Sequence, residues 1–177
     1  MANGFAEPDD IEITIPEGTN VWEIDKKFAE AGLIDRGEIS KTFFYKEGRL
    51  FPDTYLFKKD TSLENIVNKM EENFRGRTSK MLRSDLGFRN DFTTIASLLE
   101  KEAKRKEDME LVAGIIYKRL ELGMLLQIDA TVSYGACLRN FQSSIFNFQT
   151  PKYCDVSQVP VGTAIKVDGP YNTYIRA

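Results

Sequence analysis

"TTIASLLEKEAKRKEDMELVAG", residues 93–114, begins as an apolar helix and turns charged within its own apolar face. At about 100° per residue, Ile95, Ala96, Leu98, Leu99 and Ala103 share one broad sector. Glu102 falls inside that sector, roughly 20° from Ile95, and Glu100 falls at its edge. The spacing predicts a helix from Thr93 to Arg105, with Glu102 as the carboxylate that loses water and Glu100 as the one that keeps it. Desolvation raises a carboxyl pKa, as a general acid working near neutral pH requires. The same spacing also offers Glu100–Lys104 and Glu102–Lys106 as solvated i,i+4 ion pairs, and periodicity alone leaves both readings open.

Working outward, a second helix is predicted from Glu107 to Leu122, with Leu111, Val112, Ile115, Ile116 and Leu120 on its buried face and Gly123 as its stop. Beyond it the chain reads as strand and loop, rich in Tyr, Asn, Thr, Pro and Gly. "GMLLQIDATVSYG", residues 123–135, places Gln127, Asp129, Thr131 and Tyr134 just past the helix stop. "GPYNTY", residues 169–174, adds Asn172 as an amide and Tyr171 and Tyr174 as stacking surfaces. Either segment suits sugar or peptide recognition, and either suits an ordinary polar turn.

Upstream, "IEITI" at residues 11–15 alternates as a half-buried strand does. Thr19 or Asn20 then offers an N-cap for a helix through Val21, Ile24 and Phe28 that Gly32 ends. "EGRLFPDTYLF", residues 47–57, reads as a turn feeding a short strand. In "TSLENIVNKMEENF", Thr61 and Glu64 have capping-box spacing, and Leu63, Ile66, Val67, Met70 and Phe74 form one apolar stripe. Helices and short strands come in blocks rather than in strict alternation, which favours an α+β class.

Composition removes several chemistries. The 177-residue chain has no histidine, which excludes Ser-His-Asp and Cys-His nucleophile activation and His-ligated metals. Proton chemistry then falls to Asp, Glu, Tyr, Lys or Cys. A net charge of −3 gives no broad attraction to phosphate backbones, so no nucleic-acid role is expected. Neither a phosphate-cradling glycine loop nor a metal-ligand cluster is present, and no cofactor is expected. Cys137 and Cys154 are too few for structural zinc and leave open one disulfide or two buried thiols. No apolar run approaches the ~20 residues of a membrane span.

Four segments in order, "EGRLFPDTYLF", "ASLLEKEA", "VAGIIYKRLELGMLLQIDATVSYG" and "YNTYIRA", resemble the YceG-like family of endolytic murein transglycosylases, the MltG type. "ITIPEGTNVWEIDKKFAEAGLI" is similar to that family's LysM-like module. The resemblance implies a LysM-like βα module over residues 1–46, then residues 47–177 as part of a mixed helix and short-strand catalytic domain. It implies a bacterial lyase that cuts peptidoglycan glycan strands internally. One Glu protonates the oxygen of the MurNAc–GlcNAc bond, then as a base takes the muramyl C6 hydroxyl proton, leaving a 1,6-anhydro end.

On the family's "EKE" pattern the catalytic role goes to Glu102, with Glu100 as a supporting neighbour. Gln127, Asp129, Tyr134, Asn172 and Tyr174 stand at motif positions expected to line the glycan site. Implied partners are peptidoglycan strands and peptidoglycan synthases, on the outer side of the bacterial inner membrane. The resemblance further implies a single-pass anchoring helix that this chain lacks and a "GLPP"-containing continuation beyond "YNTYIRA". The expectation is therefore a soluble, truncated form. Lys118 stands where the family has Asn, and Ala130 where it has Pro. The competing expectation is a non-catalytic peptidoglycan-binding or scaffold protein of wall synthesis. A PLP-dependent aminodeoxychorismate lyase label, attached to such sequences, finds no Schiff-base lysine context or phosphate site.

Overall fold

The computed structural model describes residues 9–79, 90–146 and 154–176. The chain folds as two compact units, Met1–Arg89 and Asn90–Ala177. Among the described residues are seven α-helices and one two-stranded sheet, so the mixed α and β content expected from the sequence is present.

In the first unit, β1 (Asp10–Thr14) and β2 (Thr54–Lys58) pair antiparallel, with Ile11 opposite Phe57 and Ile13 opposite Tyr55. Alternation does the work: Ile13, Tyr55 and Phe57 turn inward, while Glu12 and Thr54 face water. Strand β2 completes this sheet within the unit Met1–Arg89. Helix α1 (Val21–Glu30) starts with a full capping box, the Asn20 side chain accepting from Glu23 N and Glu23 accepting from Asn20 N. Val21, Trp22, Ile24 and Phe28 are its buried face.

A short helix α2 (Glu38–Thr42) was not foreseen from the sequence. It is held by Asp25, a carboxylate within the core that accepts from Gly37 N at 2.8 Å and Ser40 N at 3.0 Å. A buried side chain thus caps a helix whose N-cap, Gly37, lies twelve residues later, which no local pattern announces.

Helix α3 (Leu63–Thr78) buries Ile66, Val67 and Met70 as the stripe predicts. Its cap differs from the expectation: Ser62, not Thr61, accepts from Asn65 N. Glu71 is also buried, and Lys46 at 2.8 Å and Arg75 at 3.0 Å balance it. The hydrogen bond from Lys46 is the main reason its carboxyl sits below the ordinary range, against burial and with help from Arg75.

The second unit consists of α4 (Asn90–Glu102), α5 (Lys106–Glu121), α6 (Asp129–Phe146), a 3-10 turn at Val156–Gln158 and α7 (Val161–Ala164). Ile95, Leu98, Ile116 and Ile128 form its packed centre, with Leu99, Val112, Leu126 and Ala130 against them. Two expectations fail here. Leu111, Ile115 and Leu120 are exposed, so α5 buries only the Val112–Ile116 side of its apolar surface.

The segment expected to be strand and loop instead carries the 18-residue helix α6. Its Thr, Val, Ser, Tyr, Gly and Asn residues are poor helix formers, and propensity misled the reading. Val132, Ser133, Cys137, Leu138 and Phe141 lie on several sides of α6, so packing overrides propensity and leaves no single-face period in the sequence. Cys137 and Cys154 form a disulfide that ties α6 to the segment before the 3-10 turn. On loop-closure entropy, such a bond contributes roughly 3 kcal/mol. No helix among the described residues is long and apolar enough to cross a membrane.

Candidate active site

The candidate site is built where two distant segments of the second unit close on each other. After α5, Gly123 takes a left-handed backbone (φ 62°) and the chain turns back. Arg119, on the last turn of α5, reaches across and donates to Leu126 O at 2.6 Å. Gln127 follows in the left-handed region (φ 53°), a conformation that costs a residue with a Cβ roughly 1–2 kcal/mol.

The C-terminal segment supplies the bonds that hold this turn. Gln127 N donates to Thr173 O at 2.9 Å, and Ile128 N donates to Thr173 Oγ1 at 2.9 Å. Thr131 Oγ1 donates to Ile128 O and shares a 3.0 Å hydrogen bond with Thr173 Oγ1. Asp129, the first residue of α6, then accepts from the Tyr174 hydroxyl at 2.5 Å. Its charge is favourably placed at a helix N-terminus.

Three further sets of contacts fix the returning loop. Tyr171 packs edge-on to Tyr134, ring centres 5.3 Å apart, and its Cβ lies where a Cβ on Gly135 would come within 2.7 Å. Asn172 is buried. Its amide nitrogen donates to Ile165 O and Val167 O, and its side-chain oxygen accepts from Tyr174 N. Asn172, expected to line the glycan site, makes all three of these bonds inside the protein and so shapes the loop. Arg176 grips Asp168 with two bonds at 2.7 and 2.6 Å, and these hold the Asp168 carboxyl below its usual range.

Glu102 is the last residue of α4 and is exposed, contrary to the desolvation expected from the helical wheel. The apolar sector is real through Ile95 and Leu98, but α4 ends at Glu102, and the carboxylate emerges past the packed stripe. Glu100 is exposed as well. The ion-pair alternative is not formed either, since Lys106 opens α5 and meets Glu110 at 3.9 Å. Glu102 instead makes itself felt at Tyr174. The phenol is held above its ordinary range first by the hydrogen bond to Asp129, then by lost water and by the charges of Asp129 and Glu102. Leu99 from α4, Leu126 just before α6 and Ala130 from the start of α6 pack against the same Ile95–Leu98–Ile116–Ile128 cluster.

Of the residues singled out in the sequence, Gln127, Asp129 and Tyr174 therefore meet directly or through Thr173, and the charge of Glu102 is felt at Tyr174. Tyr134 joins through Tyr171, whereas nothing ties Glu100 to the group among the described residues. Arg119 and Thr173 went unassigned. Thr173 stood inside "YNTYIRA" without a reason to prefer it to its neighbours, and nothing local to Arg119 announces the carbonyl it binds.

The profile of the YceG-like family matches residues 1–177 of this sequence. The chain belongs to the YceG-like family. An endolytic murein transglycosylase of Bacillus subtilis is 36% identical over 133 residues, covering 72% of this chain and 32% of that one. Another, from Streptococcus pneumoniae, is 33% identical over 132 residues, covering 72% of this chain and 22% of its own. The matched region thus spans a third or less of either relative's length. A yceG-like protein of Listeria monocytogenes, known from a crystal structure, superposes with a TM-score of 0.65 at 24% identity. That match covers 92% of this YceG-like chain and 59% of the Listeria one, and it shows a shared fold.

Proposed function

We propose that this YceG-like chain carries part of an endolytic murein transglycosylase site, with Glu102 as the acid and then the base. The observation that supports it most is the Tyr174–Asp129 hydrogen bond, made by a tyrosine that also feels the charge of Glu102, the three residues coming from three separate sequence motifs. In this reading a glycan strand lies over the end of α4 and excludes water from Glu102, so the substrate itself supplies the desolvation a general acid needs. Glu102 protonates the glycosidic oxygen between MurNAc and GlcNAc. It then takes the proton of the muramyl C6 hydroxyl as that oxygen closes on C1, leaving a 1,6-anhydro end. Asp129, oriented by Tyr174, and Gln127 would bond sugar hydroxyls or stabilise positive charge developing at C1. Tyr134 and Tyr171 offer ring faces to the sugar, and Glu100 stands outside as a tuning charge.

Residues 1–46 are read as the LysM-like module, which would hold the strand while the catalytic part cuts. Peptidoglycan on the outer face of the bacterial inner membrane is the proposed substrate, with wall synthases as proposed partners. Digestion of murein sacculi by the wild-type protein and by Glu102→Gln tests the assignment. Anhydro-muropeptides from the first and none from the second are expected, and equal yields would sink it. The exposure of Glu102 in the free chain favours one second reading, a glycan-binding scaffold without catalysis. That reading expects sacculus binding unchanged by Glu102→Gln and no anhydro ends from either protein.

A further inference from the structure

We infer that Arg119 and Thr173 are positioning residues that hold Gln127 in its left-handed backbone and so set where Asp129 meets Tyr174. The inference rests on the Glu102 reading for its catalytic half and on geometry alone for the rest. Gln127 is the one non-glycine residue with positive φ among the described residues, and it sits two residues before Asp129. Left to itself, a residue with a Cβ would relax to the right-handed region, turning the next peptides and swinging Asp129 away from Tyr174.

Two devices oppose that relaxation. Arg119 Nη1 donates to Leu126 O at 2.6 Å, pinning the carbonyl of the peptide whose N–H belongs to Gln127. Thr173 takes that N–H on its own carbonyl, so both ends of the Leu126–Gln127 peptide are bonded. The Thr173 hydroxyl then receives Ile128 N, fixing the following peptide as well. Strain clamped from two sides next to a charged group is the pattern expected where geometry matters more than local comfort. Neither residue need touch the sugar for this. Lysine at 119 would keep the charge but offer one point donor on a flexible stem in place of the planar fork.

The test compares Arg119→Lys, Thr173→Val and Thr173→Ser, each alone and with Gln127→Asn. Asparagine keeps the amide and tolerates the left-handed region far better than glutamine. Amide hydrogen exchange of the whole chain is read at Gln127 and Ile128 relative to Phe141 in the middle of α6. Release of anhydro ends from sacculi is read well below each variant's melting temperature. The expected result is at least tenfold faster exchange at both amides in Arg119→Lys and in Thr173→Val, with Thr173→Ser near wild type. A comparable loss of anhydro-end release should accompany it, and Gln127→Asn should shrink the rise in exchange caused by Arg119→Lys at least threefold. Unchanged exchange at both amides in Arg119→Lys, or no relief from Gln127→Asn, would overturn the clamp. Altered exchange with undiminished end release would overturn its link to catalysis. If Glu102→Gln releases ends as fast as wild type, the Glu102 reading fails, while exchange still decides the clamp.

Discussion

Alanine at Gly135 is expected to do the opposite of alanine at Gly114, although both glycines sit inside helices of the second unit. Exchanging a mid-helix glycine for alanine gains about 0.8–1 kcal/mol in helix propensity. At Gly114, in α5, an added Cβ meets nothing within 4 Å, so that gain should appear in full. At Gly135, in α6, the new Cβ would lie 2.7 Å from Tyr171 Cβ. Ordinary contact begins near 3.4 Å, so the returning loop must retreat by more than half an ångström. Tyr171 Cβ is anchored to its own backbone and cannot swing aside as a side-chain tip could. Overpacking of this kind costs about 1–3 kcal/mol.

The net effect at Gly135 is a loss of about 0–2 kcal/mol, and the gap between the two variants isolates the packing cost at about 1–3 kcal/mol. For a unit of this size, 1 kcal/mol moves the melting temperature by about 4–8 °C. Melting followed by circular dichroism, with urea titration as a second measure, gives both values. Hydrogen exchange at Gln127 and Ile128 should also rise in Gly135→Ala, because Thr173 moves with Tyr171. A Gly135→Ala protein as stable as Gly114→Ala, with those amides unchanged, would refute the close approach of the loop to α6.

Three further expectations concern the scaffold. Ser62→Ala should cost about 1 kcal/mol and Thr61→Ala far less, since only Ser62 accepts from the first turn of α3; paired urea melts decide it. Glu71, with its folded pKa lowered chiefly by Lys46, contributes stability that is complete above its unfolded pKa near 4.5 and is lost as pH falls through the folded value. Glu71→Gln should therefore flatten the pH dependence of melting below pH ~4.5 and leave a lower plateau above it. Reducing the Cys137–Cys154 bond should cost about 3 kcal/mol in denaturant melts, and Cys137→Ser should match the reduced wild type to within a packing difference.

The parts of this protein that could be read from its sequence are those where one local signal decides. Asn20 was one of two adjacent N-cap candidates for α1, β1 alternates, and Ile66, Val67 and Met70 recur on one helical face. What stayed hidden depends on partners distant in the chain. Helix α2 exists because Asp25 caps it from within the core. Helix α6 exists because it is wrapped on several sides, which removes the amphipathic period that would have announced it. At the site, the wheel placed Glu102 correctly with respect to Ile95 and Leu98 but not with respect to where α4 stops. Motif order brought Asp129 and Tyr174 into consideration, whereas their hydrogen bond, and the work of Thr173 between them, follows from a 45-residue return of the chain.

That return has a kinetic side. Ile128 and Thr173 are 45 residues apart, and bringing them together from a flexible chain costs on the order of 3 kcal/mol in configurational freedom before any bond forms. The cross-link between Cys137 and Cys154 lies wholly within that span and bypasses 17 of its residues. A shorter tether closes more readily, by about 0.4 kcal/mol, or close to a factor of two in the closed population. Oxidation would then act twice: it braces α6 directly, and it lets the last segment of the chain find the start of that helix sooner. In refolding experiments, the Tyr174–Asp129 contact should appear later than the Ile95–Leu98–Ile116 packing, and later still under reducing conditions.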